Sequence, residues 1–230
     1  MRLAIMQPYL FPYIGYFQLI HAVDTFVLYD DVNFIKGGWI NRNFILSQGK
    51  ANRITLQLQG ASPNVLINQV MVGDNKIKLL KSIQQSYAKA SQFAHVFPVI
   101  EEILSNNEKN LSKFIDFGLR KICAYLNLRP IWYLSSELEK DVTLRGSEKV
   151  LAICEELNAK HYINVPGGKC LYDSAVFEQN GLKLSFIEPK PVEYKQLGQE
   201  FVPNLSIIDV MMFNNQEQCK ILLGACSLVS

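Results

Sequence analysis

Apolar residues first arrive in this chain as two short runs with a mixed segment between them. Leu3–Met6 stops at Gln7-Pro8, amphipathic spacing follows from Ile14 to Ala22, and Phe26–Tyr29 stops at Asp30-Asp31. Short apolar runs bounded by polar or turn residues predict strands, and the spacing between them predicts a helix. After Asn43 come three alternating runs, Phe44–Leu46, Arg53–Leu58 and Val65–Val72. Turn residues in 47–52 and 60–64 separate them, predicting an antiparallel hairpin or meander that projects from the main sheet.

The period then becomes helical. One helix is expected from Asp74 or Asn75 to about Lys89, with Ile77, Leu80, Ile83 and Tyr87 on one face. Others are expected over Pro98–Leu104 and Asn110–Leu126, with His95 in a polar loop between helices. Strand and helix alternate again beyond this point. Ile131–Leu134, Tyr162–Val165 and a last strand Leu184–Ile187 are separated by helices at 146–158 and 171–180, the second closed by Gly181. Ser206 caps a final helix, Ile207–Phe213, with Asp209 at the third position of a capping-box-like start. Such alternation implies parallel βαβ units with right-handed crossovers. The expected fold class is α/β: one domain over 1–230 with a mainly parallel, Rossmann-like sheet flanked by helices. An antiparallel hairpin insertion over 44–72 and a helical subdomain over 74–128 complete it.

Composition narrows the function classes. Hydrophobic residues make up 49% and charged residues 19% of 230, ordinary for a globular protein. A net charge of +2 argues against nucleic acid as partner, since a general binder carries a basic stripe. No apolar run approaches the roughly 20 residues of a membrane span. The N-terminus lacks the basic region and cleavage site of a signal peptide, so a cytoplasmic location is expected. The five cysteines are scattered, which predicts free thiols. Cys170 lies beside Lys169, a cation able to activate it, although no base is identifiable there and a structural role has the stronger case. His21, His95 and His161 are too scattered to suggest a metal site.

Polar residues gather where the first two strands end, the place where open α/β sheets bind ligands. Pro8 and Pro12 stiffen the first loop and hold Gln7 at the strand tip. Gly15 lets backbone or ligand approach near a helix N-terminus, a natural anion site. Tyr9, Phe11, Tyr13, Tyr16 and Phe17 equally suit a packed core. Beyond the second strand, Asp30, Asp31, Asn33, Lys36, Trp39, Asn41, Arg42 and Asn43 follow at a density that favours a polar constellation over a solvated loop. Pro166-Gly167-Gly168-Lys169 comes between a strand and a helix, where glycine N–H groups and Lys169 can meet phosphate. It lacks the complete P-loop pattern. Lys190, Glu193, Tyr194 and Lys195 lie in a Pro-punctuated loop suited to a flexible lid.

QPYLFPYIGYFQLI at 7–20 and VDTFVLYDDVNFIKGGWINRN at 23–43 closely resemble the opening of the WbqC-like protein family. NVPGGKCLYD at 164–173 and LSIIDVMMFN at 205–214 extend the likeness over almost the whole chain. The resemblance implies a bacterial transferase of O-antigen or other surface-polysaccharide biosynthesis, acting on an activated sugar. Acyl or aminoacyl transfer to an amino sugar is one form of that chemistry. Gly37-Gly38 stand where a second basic residue is expected, leaving Lys36 as the main cation. The strand, loop, helix, strand opening also resembles nucleotidylyltransferases and pantothenate synthetase, with Tyr13 and Tyr16 in place of both histidines of their HxGH motif.

On this reading the partner is a nucleotide-sugar or activated acyl donor, and no further cofactor is fixed by the residues. Asp30 or Asp31 is the candidate base, with Lys36, Arg42 and Lys169 against phosphate. Gln7 and the N–H groups around Gly15 and Tyr16 orient the ligand, with Gly167 and Gly168 at the second turn. Tyr9 and Trp39 wall a ring, beside Asn41 and Asn43. A nucleotidylyltransferase or ATP-dependent ligase, and a non-catalytic binding subunit of a glycan assembly complex, fit the same residues. A homo-oligomer is compatible with all three.

Overall fold

The computed structural model describes residues 1–198 and 200–229. Its centre is a six-stranded sheet. Strands β1 (Arg2–Met6) and β2 (Thr25–Leu28) are joined by helix α1 (Ile14–Ala22). Strands β7 (Ile131–Leu134), β8 (His161–Asn164) and β9 (Lys183–Pro189) run parallel to them, while β10 (Cys226–Val229) is antiparallel to β9. The spatial order is β10-β9-β8-β1-β2-β7. The chain therefore builds outward in opposite directions from the β1/β8 pair, which makes that pair the topological switch point.

Both faces of the sheet are covered, which explains the unbroken apolar runs of β1 and β2. Leu3, Ile5 and Val27 pack with Val150, Ile153 and Cys154 of helix α5 (Gly146–Glu156) and Phe177 of α6 (Ser174–Gln179). Ala4, Phe26 and Leu28 point the other way, into a larger cluster. That cluster includes α1, α2 (Lys76–Tyr87), α3 (Phe93–Ser105), α4 (Leu111–Tyr125), α7 (Ile207–Phe213) and α8 (Gln216–Leu223). Each fully buried large side chain contributes about 1.5–3 kcal/mol of transfer free energy. The central strands and α1 are accordingly the hardest parts to disturb.

The mainly parallel α/β sheet matches the expectation; several local readings do not. Helix α1 is not amphipathic: six of its nine residues are buried, because α8 covers the side turned away from the sheet. The segment 44–72 forms a hairpin of β3 (Arg42–Ser47) with β4 (Lys50–Thr55) and a separate short pair, β5 (Leu58–Gln59) with β6 (Met71–Val72). Neither pairs with the main sheet, and Ile67–Gln69 is a 3₁₀ turn rather than strand. In α2 the buried stripe is Leu79, Ile83 and Tyr87, while Ile77 is 70% exposed. Helix α3 begins at Phe93, with Pro98 inside it, so His95 is helical and not in a loop. Pro98 lacks the N–H for an intrahelical bond, and packing of Val96, Ile100, Ile103 and Leu104 carries the helix past it. Helix α6 starts only at Ser174, where Asp173 caps it by accepting from Ala175 N at 2.9 Å. Strand β10 lies beyond the strand expected to be last.

Candidate functional site

Beyond β2 the chain bends, with Asp30 N donating to Leu28 O at 3.0 Å, and the side chains of Asp30 and Asp31 leave in different directions. Asp30 turns toward α4 and is buried. Its carboxylate accepts from Ser136 N (2.9 Å), Ser136 Oγ (2.8 Å) and Ser112 Oγ (3.2 Å), and its carbonyl accepts from Asn68 N (3.0 Å). It clasps the end of β2 to β7 and α4. Asp31 turns toward α5, where Lys149 Nζ (2.9 Å) and Lys140 Nζ (3.1 Å) share Oδ2. Both lysines are almost wholly buried. Lys149 also donates to the Asp31 carbonyl and lies 5.4 Å from the centroid of the Tyr29 ring. Burial pushes the Asp31 pKa up, but the Ser135 hydroxyl, Lys149 and Lys140 outweigh it and hold it below the usual carboxylate range. The two carboxylates share no site.

The Gln-Pro loop and the Trp39–Phe44 segment do meet. Leu10 N donates to Ile40 O (2.9 Å), and Asn43 Nδ2 donates to Phe11 O. Ser206 Oγ donates to the same carbonyl at 2.8 Å. These bonds hold Phe11 at φ 45°, a left-handed conformation that is costly for a bulky residue. The bend carries Tyr9 to Trp39 (centroids 6.1 Å apart, planes at 34°) and to Tyr13 (6.4 Å), while Trp39 meets Phe44 at 5.9 Å. Between them opens a cavity of about 430 Å³, lined by Tyr9, Tyr13, Trp39, Asn43, Phe44, Ala51 and the 203–205 segment. Trp39 is 50% exposed, and the Arg42 guanidinium lies 5.8 Å from its ring centroid. Burial raises the phenol pKa of Tyr9, with Tyr13 adding to it, and burial raises that of Tyr13, so both are neutral hydrogen-bonding groups.

The other expected site residues are placed as follows. Gln7 sits half-buried at the tip of β1; its carbonyl accepts from Tyr16 Oη at 3.0 Å, and its side-chain amide is unbonded among the described residues. Tyr16 is 1% exposed, and its N–H donates to Tyr13 O, so packing, not ligand contact, accounts for it. A methyl group at Gly15 would collide with the Tyr13 ring; what approaches this glycine is the chain itself. Asn41 exchanges bonds with Leu56 (Nδ2 to O 2.7 Å, Leu56 N to Asn41 O 2.8 Å), tying the hollow to the chain beyond β4. Lys36 is exposed beside Gly37, whose φ of 79° lets the turn fold back toward Arg42. Gly167, Gly168 and Lys169 lie apart from the hollow. Pro166–Gly168 is a 3₁₀ turn whose Gly168 N and Lys169 N donate back to Val165 O and Pro166 O. Gly168 packs on Asn164 and Tyr172, and Lys169 Nζ lies over Phe186 at 5.8 Å.

A second cavity, about 720 Å³, continues past Tyr13 and 203–205, between the first half of α1 and residues 189–194, 200–201 and 203–205. Gln18, Lys190, Glu193, Tyr194 and Glu200 are among its lining. The expected lid is anchored rather than loose. Asp209 is buried and accepts from Tyr87 Oη (2.9 Å), Tyr194 Oη (2.7 Å) and Gln196 Nε2 (2.6 Å). Ser206 caps α7 as expected, donated to by Ile208 N at 3.2 Å, but Asp209 serves this network and not a capping box. Burial raises the Asp209 pKa against the opposing pull of Tyr194, Tyr87 and Gln196. Gln18 and Asp209 both fall in apolar sequence, and a polar residue inside an apolar helix is the sequence signal that marks them.

Among the described residues, no group of three or more His, Cys, Asp or Glu could hold a metal ion, and no helix is long and apolar enough to cross a membrane. A relative from Mycobacterium tuberculosis (strain ATCC 25618 / H37Rv), named "Uncharacterized protein Rv1507c", is 28% identical over 218 residues. That similarity spans 93% of this chain and 93% of the relative. No solved structure matches at a significant level. A family model matches residues 7–221, from the Gln-Pro turn through the cavity-lining segments to α8, and the chain belongs to the WbqC-like protein family.

Proposed function

We propose that this protein is a transferase of bacterial surface-polysaccharide biosynthesis that binds a nucleotide-activated sugar in the hollow between Tyr9 and Trp39. The observation that carries this reading is four aromatic rings around a cavity of about 430 Å³, with the Arg42 guanidinium 5.8 Å from the centroid of one of them, Trp39. Flat rings accept the face of a nucleobase or the C–H face of a sugar, and Arg42 and Lys36 supply charge for the diphosphate. Acyl or aminoacyl transfer to an amino sugar suits a site built on alignment and charge. Asp30 is held in its clasp and Asp31 on the far face, so proton acceptance falls to Glu193 or Glu200 in the adjoining cavity. The Tyr13 ring over Gly15 argues for this reading over nucleotidylyl transfer, which needs an open helix N-terminus.

The test uses Trp39 as reporter in a Trp132→Phe background. Titration with uridine, guanosine and thymidine diphosphate sugars is expected to quench its emission saturably, and Tyr9→Ala is expected to weaken the effect. Stacking of a base on an aromatic ring is worth about 1–3 kcal/mol. Trp39→Ala, followed by calorimetry, should therefore lower affinity by between about five- and hundredfold. Emission that no nucleotide or nucleotide-sugar alters would overturn the reading.

A further inference from the structure

Between Asp31 and Asp74 the chain carries no acidic residue. Lys36, Arg42, Lys50 and Arg53 give 32–73 a formal charge of +4, against +2 for the whole chain, which leaves −2 on the rest. Such asymmetry within one chain marks a surface that meets anions. None of the four cations has an ion pair among the described residues. Arg42 Nη2 lies 3.7 Å from the place a Cβ would take on Gly37, against the turn that exposes Lys36. Its guanidinium is 5.8 Å from the Trp39 ring centroid, and that ring meets Phe44 at 5.9 Å. Arg53 stands directly opposite Phe44 in the β3–β4 pair, on the face that also carries Arg42.

The same turn exposes apolar surface. Ile35 is 51% and Trp39 50% exposed, with only Lys36, Gly37 and Gly38 between them. Ile35 Cβ lies 3.2 Å from the place a Cβ would take on Gly38, so its side chain rests on the turn itself and not in the core. An isoleucine and a tryptophan set among unpaired cations match the chemistry of a lipid interface. The aliphatic chain enters the acyl boundary, the indole sits at headgroup level, and the cations meet phosphate. A nucleic-acid track would use Trp39 and the cations but leave Ile35 without a partner. We propose that the Ile35–Trp39 turn and the outer face of the β3–β4 hairpin form a docking surface for the anionic phospholipid face of a membrane. The contact is peripheral, made by a turn and a hairpin; among the described residues no helix is long and apolar enough to cross a bilayer. The aromatic hollow shares Trp39 and Phe44 with this surface, so it opens beside the lipid.

The experiment sediments the full chain with vesicles of phosphatidylcholine alone or mixed with an equal share of phosphatidylglycerol. The protein is expected to partition onto the anionic vesicles, to come off as salt shortens the screening length, and to stay free of phosphatidylcholine alone. In the Trp132→Phe background, Trp39 emission should move to shorter wavelength on the anionic vesicles. Each basic side chain at such a surface contributes about fivefold, the equivalent of about 1 kcal/mol. The double variant Ile35→Ser, Arg53→Ser changes exposed residues only and should weaken partitioning at least about tenfold, with nucleotide-sugar binding unchanged. Lys78→Ser, Lys81→Ser removes two exposed cations from α2 and should leave partitioning nearly as it was. Equal binding to both vesicles, binding to neither, an unmoved Trp39, or equal losses in the two double variants would each overturn the proposal. Tighter binding of polyuridylate than of the anionic vesicles would overturn it in favour of nucleic acid. Nucleotide-sugar quenching of Trp39 without vesicles tests the function proposed above, so either reading can fail alone.

Discussion

Replacing Asp30 by alanine separates a structural carboxylate from a catalytic one. The substitution strips both Ser136 bonds (2.8 and 2.9 Å) and the weaker Ser112 bond at 3.2 Å, which can rest on Asn110 Oδ1 at 3.0 Å instead. Hydrogen bonds to a charged group contribute about 1.5–3 kcal/mol each. Ser136 is exposed, so water partly replaces its lost acceptor, and a net loss of about 3 kcal/mol follows. At about 2–4 °C per kcal/mol for a chain of this size, Tm should fall by about 6–12 °C. Asp30→Asn keeps one acceptor oxygen and should fall about half as far. Differential scanning calorimetry gives Tm, and Trp39 emission in the Trp132→Phe background gives ligand affinity, expected to stay within about twofold at temperatures where the variant is folded. An Asp30→Ala protein with unchanged Tm and abolished binding or turnover would refute the clasp and return Asp30 to the chemistry.

Three further outcomes follow from the same geometry. The Asp31 pKa is depressed in the fold, so its contribution to stability is present at neutral pH and is lost as pH falls below about 4, through the folded value. Lys149→Met removes one of its two cations and should move the acid-unfolding midpoint, followed by circular dichroism, to higher pH; an unchanged acid limb would count against the cluster. Asp209 has the opposite sign: its folded pKa is raised by burial, so its charged form costs stability at neutral pH and that cost shrinks as pH falls through the folded value. Tyr87→Phe removes bonds to Asp209 and Leu46 N, both 2.9 Å, and should cost about 2–4 kcal/mol in urea unfolding. Tyr194→Phe loses one such bond and should cost about half as much. Cys170 is the exposed cysteine, whereas burial pushes the Cys154 and Cys219 thiols up to about 12. Maleimide labelling read by mass spectrometry should find Cys170 modified first, and early label on Cys154 or Cys219 would contradict the packing.

What the sequence determined is local. Apolar runs broken by turn residues placed β1, β2, β7 and β8 within a residue or two, and the Ser206 side chain marked a helix start because capping involves residues only two or three apart, although Asn75 precedes α2 without a side-chain cap bond. The same pattern put Gln7 and the aspartates beyond the carboxyl ends of β1 and β2, whereas the meeting of Tyr9 with Trp39 depends on the fold. Tertiary structure decided the rest. Asp30 and Asp31 look equivalent as neighbours, but the bend after β2 sends one to Ser112 of α4 and the other to Lys149 of α5. Ile77 suited a buried stripe until α3 packed on the side holding Leu79 and Ile83. Tyr87 meets Asp209 across 122 residues, and Gln18 meets Leu222 across 204, distances over which no periodicity carries information. Propensity and pattern act within one element; which faces touch depends on how the whole chain minimises exposed apolar surface, and that is settled only when all the elements are in place.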